Sequence, residues 1–128
     1  MPSVLIVEDH QAVREALTEV FLGWGYTVTP AVTMDDAMAH IRTGHFELVI
    51  TDMDLGGSDG LELARLLGNS GSGEKFIVLS GRHDAKEVFG NQFATGNRLR
   101  HLRKPFLLSQ LQAAVAQLQN DGPPARTD

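Results

Sequence analysis

With 128 residues, 42% of them hydrophobic, the chain has the size of one ordinary domain and enough apolar material to bury a core. It contains no cysteine, which excludes a disulfide framework and a thiolate metal site and favours an intracellular, cytoplasmic address. A formal charge of -5 argues against a free-standing nucleic-acid binder, and no apolar run reaches the roughly 20 residues needed to span a bilayer.

Met1-Pro2-Ser3 leads directly into the apolar run 4–7, read as a first strand, with no charged leader pattern before it. Val13, Ala16, Leu17 and Val20 then follow the i, i+3, i+4, i+7 spacing of an amphipathic helix. A second strand is expected over 26–30. Thr33 and Asp36 stand three apart, as a helix cap stands to its acidic partner, and place a helix start near 34. A third strand follows over 47–51. A leucine-bearing helix is expected from Gly60 to Leu67, ended by Gly68 and the Asn69-Ser70-Gly71-Ser72-Gly73 stretch. The run 76–80 reads as a fourth strand, and Asp84 with Glu87 predicts a helix start near 85. A fifth strand over 99–102 precedes a last helix carrying Leu111, Ala114, Val115 and Leu118. The tail 121–128, with Gly122-Pro123-Pro124, is expected to be disordered, leaving residues 1–120 as a single domain. Strands alternating with helices predict an α/β fold around a parallel sheet, and the continuously apolar first, third and fourth strands are expected at its centre.

In such a sheet, functional groups gather beyond the carboxyl ends of the strands. Those ends carry Glu8-Asp9, Asp52, Ser80-Gly81 and Lys104-Pro105. Carboxylates drawn together there would repel one another unless a cation neutralised them, and an all-oxygen ligand set favours Mg2+, with Mn2+ as an alternative. Lys104 would offer a positive charge and Ser80 a hydroxyl donor to phosphate oxygens, a constellation suited to phosphoryl transfer onto a carboxylate. Asp59 reads as a helix cap without a catalytic role, and His40, His45 and His83 have no ligand spacing. His10 adjoins the acidic pair and could touch a softer metal, but is expected to be structural. The Gly68–Lys75 stretch lacks the residue order of a phosphate-binding loop. Arg98, Arg100, Arg103 and Lys104 form a local basic surface for a partner.

Taken together and in order, Glu8-Asp9, Asp52, Ser80-Gly81 and Lys104-Pro105-Phe106 resemble the signature of response-regulator receiver domains, over residues 4 to about 119. Asp59-Gly60 followed by a leucine-rich helix fits the same family. The resemblance implies a flavodoxin-like, doubly wound (βα)5 fold with helices on both faces and strand order 2-1-3-4-5. It makes Asp52 the phosphoacceptor, Asp9 and Asp52 direct Mg2+ ligands, Glu8 a ligand through water, and the Asp54 backbone carbonyl a further one. It pairs Lys104 with the phosphoryl group, makes the Lys104–Pro105 bond cis, and sets Asp54 and Arg82 beside the approaching water, where they would tune the lifetime of the acyl phosphate. Ser80 becomes the switch residue, coupled to His101, where the family more often has Tyr or Phe.

The implied partners are a sensor histidine kinase or phosphotransfer protein, and a downstream protein met by the face of fourth helix, fifth strand and fifth helix. No direct nucleic-acid or membrane contact is implied, and the chain would be a monomer or a phosphorylation-dependent dimer. Two departures bear on that output face: Thr95–Leu99 lacks the family's Gly-Ala pair, and Gly56 replaces a common proline. Two alternatives remain at this level. The first is a haloacid-dehalogenase-like phosphohydrolase, suggested by Asp52-Met53-Asp54, and the second a pseudo-receiver that only binds partners.

Overall fold

Five strands form one parallel sheet: Ser3–Val7 (β1), Thr27–Ala31 (β2), Leu48–Asp52 (β3), Lys75–Ser80 (β4) and Leu99–Arg103 (β5). Their order is β2-β1-β3-β4-β5, as expected, with the apolar strands β1, β3 and β4 at the centre. The computed structural model describes residues 2–52, 54–55, 58–59, 75–81 and 99–120. The helices expected over 60–67 and from 85, the segment 95–98, Gly56, Arg82 and the tail 121–128 lie outside the described residues.

Strand alternation divides the core into two layers, because successive side chains point to opposite faces. Leu5, Val7, Val49, Phe76 and Val78 face helix Met34–Thr43 (α2), which contributes buried Ala37 and half-buried Met34, Met38 and Ile41. Val4, Ile6, Leu48, Ile50, Ile77 and Leu79 face the other way. They pack on helix Gln11–Gly23 (α1) through Leu17 and Phe21, and on the final helix (Leu108–Asn120) through Leu111, Ala114, Val115 and Leu118. Helices therefore cover both faces, and every apolar position that the periodicity assigned to the final helix is buried.

The second strand begins one residue later than the pattern suggests, and the exit from α1 explains why. Gly25 adopts φ 89, a left-handed conformation that favours glycine. Its N–H donates to the Leu22 carbonyl at 3.1 Å, and the Tyr26 N–H donates to the Phe21 carbonyl at 2.9 Å, the paired bonds of a Schellman stop. Tyr26 is thus committed to ending the helix, and its ring meets Phe21 edge-on at 5.0 Å. Pro30 is tolerated within β2 because that strand lies at the sheet edge and bonds only to β1. At α2, the Thr33 side chain accepts from the Asp36 N–H at 3.1 Å, and an Asp36 oxygen accepts from the Val32 N–H at 3.2 Å. The expected cap therefore forms.

Phe21 is fully buried between the Trp24 and Tyr26 rings. Phe21→Ala is expected to lower unfolding free energy by about 4 kcal/mol, since it removes apolar burial and opens a cavity where helix, turn and strand meet. Urea denaturation measures this; a loss below about 1 kcal/mol would mean that the cluster is not cooperative with the core.

Candidate functional site

Among the described residues, the buried polar ones are Glu8, Thr51, Asp52 and Ser80, all within or just beyond the carboxyl ends of the central strands β1, β3 and β4. Burying charge is costly unless it is paired, so this concentration at one rim calls for a compensating group. Lys104 supplies it from the loop after β5. Its ammonium donates to Asp52 Oδ2 at 3.0 Å and to Glu8 Oε1 at 3.3 Å. The backbone holds the lysine in place: its N–H donates to the Ser80 carbonyl at 2.7 Å, and its bond to Pro105 is cis, as the resemblance implies.

The parallel pairing explains how residues far apart in sequence meet. Asp52 ends β3 on the same face as Leu48 and Ile50, while Glu8 follows β1 on the face of Val4 and Ile6, so both carboxylates share one side of the rim. The second oxygen of Glu8 accepts from the His10 N–H at 3.2 Å, which leaves the carboxylate fixed at both ends. Burial raises the Glu8 pKa above its ordinary value of 4.5, and the charge of Asp52 adds to this; the His10 N–H and Lys104 only partly oppose it. For Lys104, burial alone would lower the pKa, but the hydrogen bond and charge of Asp52, with Glu8 adding to them, outweigh it and hold the ammonium above 10.5. The lysine is therefore charged at neutral pH.

Asp9 is one-third exposed at the mouth of the cluster, with a carboxylate oxygen 3.5 Å from His10 Nδ1. Ser80 is buried one residue beyond Leu79, the register partner of Asp52. Alternation puts its side chain on the opposite face from Asp52 and on the same face as Val78. His101 pairs with Val78 on the neighbouring strand, and Arg103 pairs with Ser80, so His101 and Ser80 share a face one step apart. The Asp54 backbone lies in a short antiparallel pairing of Asp54–Leu55 with Ser58–Asp59; the Asp54 side chain, Arg82 and the helix that Asp59 is expected to cap lie outside the described residues.

Sequence reasoning did not single out Arg14, whose guanidinium donates to the Glu8 carbonyl at 2.9 Å and ties α1 to the end of β1. The available signal was a basic residue near a helix N-terminus, where the dipole disfavours it and a specific acceptor is the usual reason. His10 turns its ring nitrogen toward both carboxylates, 3.5 Å from Asp9 and 3.8 Å from Glu8.

Two carboxylates, Glu8 and Asp52, thus share one ammonium, and a third, Asp9, stands beside His10. An oxygen-rich, incompletely neutralised rim of this kind suits a hard divalent cation. Glu8, Asp9 and His10 have ligand atoms within 4.8 Å of one another, and Asp52 reaches Glu8 through Lys104.

Comparison with known proteins gives a consistent result. The family model for the response regulator receiver domain matches residues 4–116. The KDP operon transcriptional regulatory protein KdpE of Escherichia coli is 35% identical over 115 residues, covering 90% of this chain and 50% of that protein. The sensor kinase CckA of Brucella abortus is 31% identical over 118 residues, 91% of this chain and 12% of the kinase. The chain thus spans half or less of the length of these curated relatives. Among solved structures, the non-phosphorylated receiver domain of HemR from Leptospira biflexa superposes with a TM-score of 0.83 at 27% identity, covering 97% of this chain and 98% of that one. The response regulator TrrA of Thermotoga maritima, solved in complex with Mg2+ and BeF, gives a TM-score of 0.80 at 26% identity over 92% of this chain and 99% of that one. No helix among the described residues is long and apolar enough to cross a membrane.

Proposed function

The chain belongs to the response regulator receiver domain family, and from that membership we propose that it accepts a phosphoryl group on Asp52 from a sensor histidine kinase or phosphotransfer protein. The observation that carries this reading is the buried Asp52 carboxylate, held 3.0 Å from a charged lysine at the carboxyl rim of the sheet. An Asp52 oxygen attacks the donor's phosphorus, forming an O–P bond as the bond from phosphorus to the donor nitrogen or oxygen breaks. Lys104 exchanges part of its contact with Asp52 for a phosphoryl oxygen. Asp9 and Asp52, with the Asp54 carbonyl and with Glu8 through water, would hold Mg2+, or Mn2+ in its place. That cation, when bound, neutralises charge on the transferring group.

The acyl phosphate is reset when water attacks phosphorus, and Asp54 and Arg82 set its lifetime. Ser80 donates its hydroxyl to the phosphoryl group and draws away from β4, and His101, on the same face of β5, follows it. The change reaches a downstream protein through the face that includes β5 and the final helix, in a monomer or a phosphorylation-dependent dimer in the cytoplasm. The modification biases this switch only through contacts that differ between its two states. Asp52 ends the third strand, where a dehalogenase-type phosphohydrolase would place its acceptor after the first, so the phosphohydrolase alternative gains no support.

Incubation with acetyl phosphate and Mg2+, followed by intact-mass measurement, tests the proposal. The wild-type chain gains one phosphoryl group and Asp52→Asn gains none. Equal labelling of both, or labelling of neither, sinks the reading; labelling of neither is also what a pseudo-receiver would give.

A further inference from the structure

His10 adds a nitrogen donor to an otherwise all-oxygen cluster. Its side chain is 77% exposed, yet Nδ1 faces inward, 3.5 Å from Asp9 Oδ1 and 3.8 Å from the fully buried Glu8 Oε2. Both separations are too long for a strong hydrogen bond. They do fall between the roughly 3.0 Å that separates ligands at right angles and the roughly 4.2 Å that separates opposed ones around an ion with bonds of about 2.1 Å. The His10 backbone N–H already anchors Glu8, so the ring's position follows from a loop built around that carboxylate.

We propose that His10 is a direct metal ligand, and that the site takes a first-row transition-metal dication such as Mn2+ in preference to Mg2+; this rests on the cation site of the proposed function. Imidazole adds little to the binding of Mg2+, which prefers oxygen and sheds water reluctantly, whereas first-row transition metals gain from a nitrogen donor. One neutral nitrogen beside the carboxylates therefore shifts selectivity without altering the charge that either cation meets. The exposure of His10 leaves its ring free to adjust by the few tenths of an ångström that ligation requires.

Mn2+ alone is the probe, added to the wild-type chain and to His10→Ala and Asp9→Asn at mildly alkaline pH, where free imidazole is neutral. Continuous-wave electron paramagnetic resonance reads free Mn2+, pulsed measurements read nitrogen coupling to the bound ion, and competition with Mg2+ gives the second affinity. Wild type shows nitrogen coupling. In His10→Ala the coupling disappears, Mn2+ binding weakens on the order of tenfold, and Mg2+ binding changes by less than about twofold. Mn2+ binding that Asp9→Asn abolishes but His10→Ala leaves unchanged, with no nitrogen coupling in wild type, overturns the role of His10 and leaves the cation site standing. Absence of any Asp9-dependent binding of either cation overturns both.

Discussion

Lys104→Met is expected to lower stability at neutral pH by about 3 kcal/mol, the low end of the loss on breaking a buried ion pair, because the lysine side chain retains 28% exposure. Methionine keeps most of the unbranched stem and removes the charge, so the variant isolates electrostatics from packing. Asp52 and Glu8 then lose the ammonium that each contacts, at 3.0 and 3.3 Å. The loss has a definite pH dependence. In wild type the lysine's pKa is raised, so its contribution is fully present below 10.5 and disappears only as pH climbs through the higher folded value. In the variant, Glu8 keeps the burial that raises its pKa and loses the opposing charge of Lys104, so its protonation relieves the defect and the deficit shrinks as pH falls. Urea denaturation at neutral and mildly acidic pH measures both terms; a deficit below about 1 kcal/mol, or one that grows on acidification, contradicts this account. On the proposed function the same change also slows labelling of Asp52 by acetyl phosphate, by roughly 10²- to 10³-fold, as loss of a preorganised charge at a transferring group does.

Removing divalent cations is expected to cost the wild-type chain about 2.7 kcal/mol relative to a cation concentration one hundred times its dissociation constant. The pKa of Glu8 gives this prediction its pH signature. Because burial raises the folded value above 4.5, the folded state holds that proton more tightly than the unfolded chain does. In chelator, stability therefore falls as pH rises from 4.5 through the folded value, and ionised Glu8 is a net cost at neutral pH. A bound cation offsets that cost and flattens the slope. The difference between wild type and Glu8→Gln isolates this carboxyl from every other titrating group, and Asp9→Asn removes the cation-dependent gain. Thermal unfolding in Mg2+ and in chelator across the acidic range provides the check. A wild-type curve that ignores cations, or a Glu8-specific difference that vanishes in chelator, refutes the electrostatic picture of the rim.

Much of this was legible in the amino-acid order because the relevant forces act over short stretches of chain. Continuous apolar runs at 4–7 and 76–79 identified central strands, since a strand covered on both faces is apolar along most of its length. The spacing of Leu111, Ala114, Val115 and Leu118 defined the buried face of the final helix, and Thr33 with Asp36 located the start of α2. The carboxylates stood out as candidate site residues from their positions at or just beyond the ends of strands. Strand boundaries were less exact where a residue had competing uses, as with Tyr26, whose N–H is taken by the stop of α1.

The meeting of Glu8 and Asp52 on one lysine belongs to the tertiary structure, because the partners lie 96 and 52 residues from Lys104. Nothing local encodes those distances. They depend on the order β2-β1-β3-β4-β5 and on a register that places the ends of β1 and β3 side by side. The same holds for Arg14 on the Glu8 carbonyl and for the ring of His10, whose orientations follow from how α1 docks against the end of β1. The sequence by itself determined which residues have the chemistry for a charged rim. Only the packed sheet decided which carboxylates share a counter-charge, because side-chain periodicity is set within a few residues whereas proximity is set by where distant strands end.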